Sequence, residues 1–177
     1  MIRTEKIEHA IRLAIYSPAV KGEKPVSLLL LAPPEHGKSE LLKKFAFIPS
    51  VRISSDFNSF IFADIVGDYQ AGRAKTLVVP DLLRLVKRKY STQANALSII
   101  NAITEEGWIG KLPLGQTVDK PVVMNVIAAL TMDELMDKRH KCQDGLSLPL
   151  PPHLLLLLRE HQEPNKGIHK GQDVLQG

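Results

Sequence analysis

The stretch that most constrains this chain is "PVSLLLLAPPEHGKSELLKKF", residues 25–45. Val26 to Leu31 is apolar without alternation, as in a strand buried on both faces of a parallel sheet. The run ends in two prolines, then Gly37-Lys38-Ser39, then a helix-like segment from Ser39 to Phe47. A strand that stops in a tight turn and restarts as a helix leaves a row of backbone N–H groups with no partner. Such a turn is suited to holding an anion.

The same grammar recurs downstream. "SVRIS" reads as a second strand and "KTLVVPD" as a third. Pro80 has no N–H for a sheet ladder and stops that third strand, which leaves Asp81 at its carboxyl end. "PVVMNVIAALT" reads as one further strand ending at Thr131. Helical spacing appears in Thr4–Tyr16 through Ile7, Ile11, Ala14 and Ile15. A helix capped by Ser55 or Asp56 is expected to run towards Tyr69. "LLRLVKRKY" and "TQANALSIINAITEEG" read as two more, the second with Thr92 as cap and Gly107 as stop. "MDELMDKRH" begins another helix, and "HLLLLLREH" reads as the last.

Strands alternating with helices from Val26 to Thr131 imply an α/β fold, a mostly parallel sheet between helix layers. "VRIS" lies between the first strand and the Asp81 strand in sequence, so a further strand has room to insert between those two in the sheet. "VVMNVIAALT" is the natural candidate. Three segments follow: an N-terminal helix and loop over 1–24, a core over 25–140, and a tail over 141–177. That tail is rich in proline and histidine and is expected to be poorly ordered.

Residues 32–39, A-P-P-E-H-G-K-S, match the phosphate-loop pattern G-x-x-x-x-G-K-[ST] except that alanine stands for the first glycine. Backbone N–H groups from about Glu35 to Ser39 are expected to cradle phosphate oxygens, within a nucleotide-contacting stretch of Pro34, Glu35, His36, Gly37, Lys38, Ser39 and Glu40. Lys38 would reach the β- and γ-phosphates, and Ser39 would hold Mg²⁺. Asp81 suits the second metal-side position ahead of its other reading, a helix cap before "LLRLVKR", and one residue can do both. Thr131 could orient an attacking water or cap the helix that follows; Asn125, mid-strand, reads as structural.

With these elements in this order the chain resembles the additional-strand branch of phosphate-loop ATPases, which includes the AAA+ and RecA-like groups. The resemblance covers about Val26 to His140. It is nearest to AAA+-like ATPases of phages and mobile elements, through "APPEHGKSELL", "SSDFNSF", "LVVPDLL", "NAITEEGW" and "IAALTMDELMDKRH". It implies a P-loop NTPase of three-layer α/β/α build, with ATP and Mg²⁺ as ligands. It also implies catalytic roles for Lys38, Asp81 and Thr131, metal contacts from Ser39 and Asp81, and action on DNA or RNA. An arginine finger would come from a second copy or a partner subunit.

Two departures stand out. Leu82 occupies the place where the family carries a water-polarising glutamate; Glu105 and Glu106 read first as a solvated helix end and second as substitutes for it. After His140 no helical lid matches, as in a chain truncated after the sensor strand; Arg139 and Arg159 lack the setting of a finger. Binding without hydrolysis, and a small-molecule kinase using Asp56, are the rival readings.

Composition adds limits. A net charge of +4 permits nucleic-acid contact without demanding it. The densest basic cluster is Arg84, Lys87, Arg88 and Lys89, also readable as a solvated helix face. A lone cysteine, Cys142, suits a reducing cytoplasmic setting and rules out an internal disulfide. No apolar run approaches the ~20 residues of a membrane helix, so no membrane partner is expected. His140, Cys142, His153, His161 and His169 match no paired zinc spacing.

Overall fold

The computed structural model describes residues 4–82, 84, 90–131 and 154–158. Four helices are α1 Thr4–Tyr16, α2 Lys38–Lys43, α3 Ser59–Gln70 and α4 Tyr90–Glu105. Seven strands are β1 Ser27–Leu31, β2 Val51–Ile53, β3 Thr76–Val79, β4 Trp108–Lys111, β5 Thr117–Val122, β6 Asn125–Leu130 and β7 Leu154–Leu158. Five of them form one parallel sheet in the order β2-β3-β6-β1-β7. The strand containing "NVIAAL" does insert between the β1 and β3 strands, as its sequence position allowed.

The non-alternating strands make sense in this sheet, because each face carries its own core. Leu28 and Leu30 of β1 join Val78, Ile127 and Ala129 on one face. Ile11, Ala14 and Ile15 of α1, Leu42 of α2 and the adjacent Phe45 close over them. Leu29 and Leu31 join Leu77, Val79, Val126 and Ala128 on the other face, beneath Phe62 and Ile65 of α3 and Ile100 and Ile103 of α4. Burying a strand on both sides removes the reason for polar residues at alternate positions.

Asn125 is fully buried at the start of β6. Its Nδ2 donates to the carbonyls of Ala14 at 2.7 Å and Val26 at 3.2 Å, so it ties the end of α1 to the entry of β1. The structural role expected for it fits. Ser17 Oγ donates to the same Ala14 carbonyl and accepts from the Val26 N–H, which turns the chain from α1 into the sheet.

Several boundaries differ from expectation. Asn58, not Ser55 or Asp56, caps α3: its side-chain oxygen accepts from the N–H groups of Phe60 and Ile61 at 3.0 Å each. Thr92 lies inside α4 rather than at its cap. α2 stops at Lys43, short of Phe47. "PVVMNVIAALT" is not one strand. Its first part completes β5, which pairs antiparallel with β4 in a separate hairpin. Gly107, at the turn from α4 into β4, has φ 88°, and a Cβ there would lie 2.6 Å from the Pro121 Cβ. Only glycine fits that corner. Finally, the leucines of "HLLLLLREH" form a strand, not a helix: β7 pairs with β1 from Ser27↔Leu154 to Leu31↔Leu158. Five residues of the supposed tail therefore belong to the sheet. "MDELMDKRH" and, in "LLRLVKRKY", residues 83 and 85–89 lie outside the described residues.

Among the described residues, no helix is long and apolar enough to cross a membrane.

Candidate functional site

A parallel sheet points all its strand carboxyl ends to one pole, and loops at that pole hold ligands in open α/β folds. The predicted site residues gather there. The 32–37 loop leaves β1, Asp81 follows β3 by two residues, and Thr131 directly follows β6, the strand between them. Residues more than 40 positions apart thus share one edge.

The 32–39 loop is curled. Glu35 has φ 60° and Gly37 φ 68°, both left-handed, and Glu35 is the only non-glycine residue with positive φ among those described. Two such turns two residues apart bend the chain back into the start of α2. Leu41 N–H then bonds the Gly37 carbonyl at 2.8 Å. Pro34, Glu35, His36, Gly37 and Glu40 are exposed, whereas Lys38 and Ser39 are half-buried.

The Lys38 ammonium lies back over its own loop, donating to the carbonyls of Ala32 and Pro33 at 2.7 Å each. Ser39 Oγ donates to the Pro80 carbonyl at 3.0 Å. That bond clamps the loop to the end of β3, one residue before Asp81. His36 Nδ1 sits 2.7 Å from the Pro34 carbonyl, which can only accept, so Nδ1 carries a proton. Asp81 Oδ2 is 3.6 Å from Arg84 Nε. Glu40 is engaged with Lys43 at 2.8 Å on the exposed side of α2.

Mg²⁺ favours few protein ligands and many oxygen neighbours from water or substrate. Ser39 and Asp81 are such a set, a hydroxyl and a carboxylate brought to the same strand end by the Ser39–Pro80 bond. No cluster of three or more His, Cys, Asp or Glu residues occurs among the described residues. The residues fit a lightly liganded Mg²⁺.

Leu82 and the acidic end of α4 do not bring a carboxylate to this pole. Leu82 is 5% exposed and packed in the core, with its N–H on the Ala129 carbonyl at 2.9 Å. Met124 N–H bonds the Ile103 carbonyl at 2.9 Å, which sets the end of α4 beside the start of β6. Glu105 and Glu106 accordingly sit at the opposite pole from the loop. Sequence reasoning also missed the three carbonyls, of Ala32, Pro33 and Pro80, that hold Lys38 and Ser39. Backbone groups leave no compositional signal, so nothing in the residue string could have pointed to them.

No protein-family model matches the chain, and no curated protein matches it.

The loop itself makes a prediction. An L-residue in the left-handed region costs roughly 1–2 kcal/mol, and glycine escapes that cost. A Cβ at Gly37 would meet nothing within 4 Å, so Gly37→Ala carries the conformational term alone. We expect Gly37→Ala to lower, and Glu35→Gly to raise, the urea midpoint, each by about 1 kcal/mol equivalent. Equal midpoints for both variants would show that the loop is not held in this curl.

Proposed function

We propose that the chain is a phosphate-loop NTPase domain of three-layer α/β/α build that binds ATP with Mg²⁺ and hydrolyses it. The observation that carries this is the meeting of the 32–39 loop, Asp81 and Thr131 at one pole, with β6 between β1 and β3. An isolated Gly-Lys-Ser is a weak sign. A Gly-Lys-Ser loop bonded to the strand end that bears an aspartate is a much narrower one.

In this reading the loop amides and the Lys38 ammonium take the charge of the β- and γ-phosphates, the phosphate oxygens replacing the Ala32 and Pro33 carbonyls as acceptors. Ser39 and Asp81 would hold Mg²⁺, which when bound draws charge from the phosphate oxygens. Thr131 orients the water that attacks the γ-phosphate in line. Positioning and charge stabilisation supply most of such catalysis. Action on DNA or RNA, and a second copy or partner subunit giving the arginine, belong to the same proposal.

One observation favours a second reading, binding without turnover by the isolated chain. Leu82 is a core residue where a water-polarising carboxylate is needed, and Glu105 and Glu106 are at the far pole. Titration with ATP and Mg²⁺, followed by phosphate release with and without DNA, decides. Binding with release supports hydrolysis. Binding without release supports the second reading. Absence of ATP binding by the folded chain overturns both.

A further inference from the structure

The opposite pole of the sheet also carries a built surface. One cleft of about 740 Å³ is lined by Glu23, Pro25, Tyr69, Lys75, Lys120 and Val123 among others. A second, of about 610 Å³, is lined by Tyr16, Pro49, Ser50, Arg73 and Lys75 among others. The two share Pro18 and Lys75. Pro25, Ser50 and Lys75 directly precede β1, β2 and β3 or stand within two residues of them, and Val123 stands two before β6. Together the clefts form a groove across the amino ends of four adjacent strands.

Its charge is lopsided. Lys75 and Lys120 line it against one carboxylate, Glu23; Arg73, which also lines it, is paired with Asp68, and exposed Lys21 and Lys24 stand on the loop that carries Glu23. Asp68 is already taken by Arg73 at 2.8 Å and Arg52 at 3.4 Å. Elsewhere Lys43, Lys44 and Arg84 have carboxylate partners. Among the described residues Lys75 and Lys120 form no ion pair. Among the cations stand prolines and the ring of Tyr16, 59% exposed, with the half-buried ring of Tyr69 behind.

We propose that this groove binds the backbone of a single-stranded nucleic acid, with Lys75 and Lys120 on phosphates and Tyr16 under a base. Cations spaced along a groove follow a phosphate chain, and exposed rings offer stacking surfaces to unpaired bases of any sequence. An acidic peptide would use the cations but leave the rings idle. The inference does not depend on the 32–39 loop binding nucleotide.

The test is fluorescence anisotropy of the full chain, without nucleotide, against a labelled oligothymidylate of about 20 nucleotides over a salt series. Salt should weaken binding with a log–log slope near −0.7 per phosphate neutralised. Lys75→Glu with Lys120→Glu should weaken it at least about tenfold and flatten the slope by about 1.4. Tyr16→Ala should cost about fivefold or more. Lys6→Glu, an exposed cation in the first turn of α1, should change affinity less than about twofold. Both lysines are exposed, so the double variant is expected to fold, and Lys75→Gln with Lys120→Gln gives a gentler version of the same loss. No binding by the unmodified chain overturns the proposal, as does an equal loss with Lys6→Glu. Unchanged binding in the double variant would move the contact elsewhere and overturn it too. Equal affinity for polyglutamate, untouched by Tyr16→Ala, would replace it with an acidic-peptide site.

Discussion

Lys38→Ala is expected to lower ATP affinity by roughly 30- to 150-fold while leaving the fold intact. The size follows from the chemistry removed. An ammonium hydrogen-bonded to a charged oxygen contributes about 2–3 kcal/mol, the upper part of the range for bonds to charged groups. The Ala32 and Pro33 carbonyls lose their donor in this variant; Ala32 is buried and Pro33 half-buried, so a stability loss of about 1 kcal/mol, too small to unfold the chain, should accompany it. Isothermal titration with ATP and Mg²⁺, with thermal melting as the control, checks both halves. Unchanged affinity in a well-folded variant would remove the nucleotide site from this loop. Ser39→Ala should behave differently. It deletes the bond to Pro80 at 3.0 Å and one metal-side oxygen, so its loss should grow with Mg²⁺ concentration whereas that of Lys38→Ala should persist without the metal.

The curl of the 32–39 loop and the place of Asp81 at a strand end were legible for a physical reason. A glycine that must adopt positive φ, a lysine beside it, and an aspartate after a proline-stopped strand are all demands of local backbone chemistry. Local demands are written in residue type. The order of strands was legible in part, since β6 had to find a place beside β1 and β3. What was lost depended on partners distant in sequence or on patterns without period. Leu154 to Leu158 are five identical residues, which carry neither a 2.0 nor a 3.6 repeat, so length and neighbours alone had to choose between helix and strand. The open edge of β1 made the choice instead. β5 reads "TVDKPV", with two charges and a proline, and becomes a strand because Trp108 and Lys111 of β4 lie across from Val122 and Thr117. Asn58 outcompeted Ser55 and Asp56 as a cap because the Asp56 carboxylate accepts from the Phe57 N–H at 2.8 Å and the Ser54 hydroxyl bonds the Asp56 carbonyl, fixing a turn before the helix starts. The fate of the glutamates was the least legible. Their distance from the loop depends on which end of α4 meets the sheet, and that is settled by one backbone bond from Met124 to Ile103.

The largest effect on stability is expected from Phe62→Ala. Phe62 is 2% exposed and joins three parts of the molecule: α3, the turn before it and the β4–β5 hairpin. Its ring lies 5.6 Å from that of Phe57 and 4.8 Å from that of Trp108, the latter edge-on at 88°. Truncating a buried phenylalanine costs about 3–5 kcal/mol, the upper part of that range applying where neighbours cannot collapse into the gap. Trp108 is held by strand pairing, and Phe57 is anchored by its N–H on the Asp56 carboxylate, so neither ring is free to fill the space. Against a typical total of about 5–15 kcal/mol, that is a large share of the stability. Phe60→Ala, two residues away in the same helix, is the control: at 64% exposed it should shift the equilibrium by no more than about 0.5 kcal/mol. Urea denaturation of the pair reads the difference. The two faces of the sheet add a second readout. Phe62 belongs to the α3–α4 core, whereas α2, which carries Lys38 and Ser39, packs on the other. Below the denaturation midpoint the Phe62→Ala variant should therefore keep the ATP affinity of the unmodified chain, the inverse of Lys38→Ala. Should Phe62→Ala also weaken ATP binding in the folded state, the two cores must be coupled through the sheet more tightly than their separate packing implies.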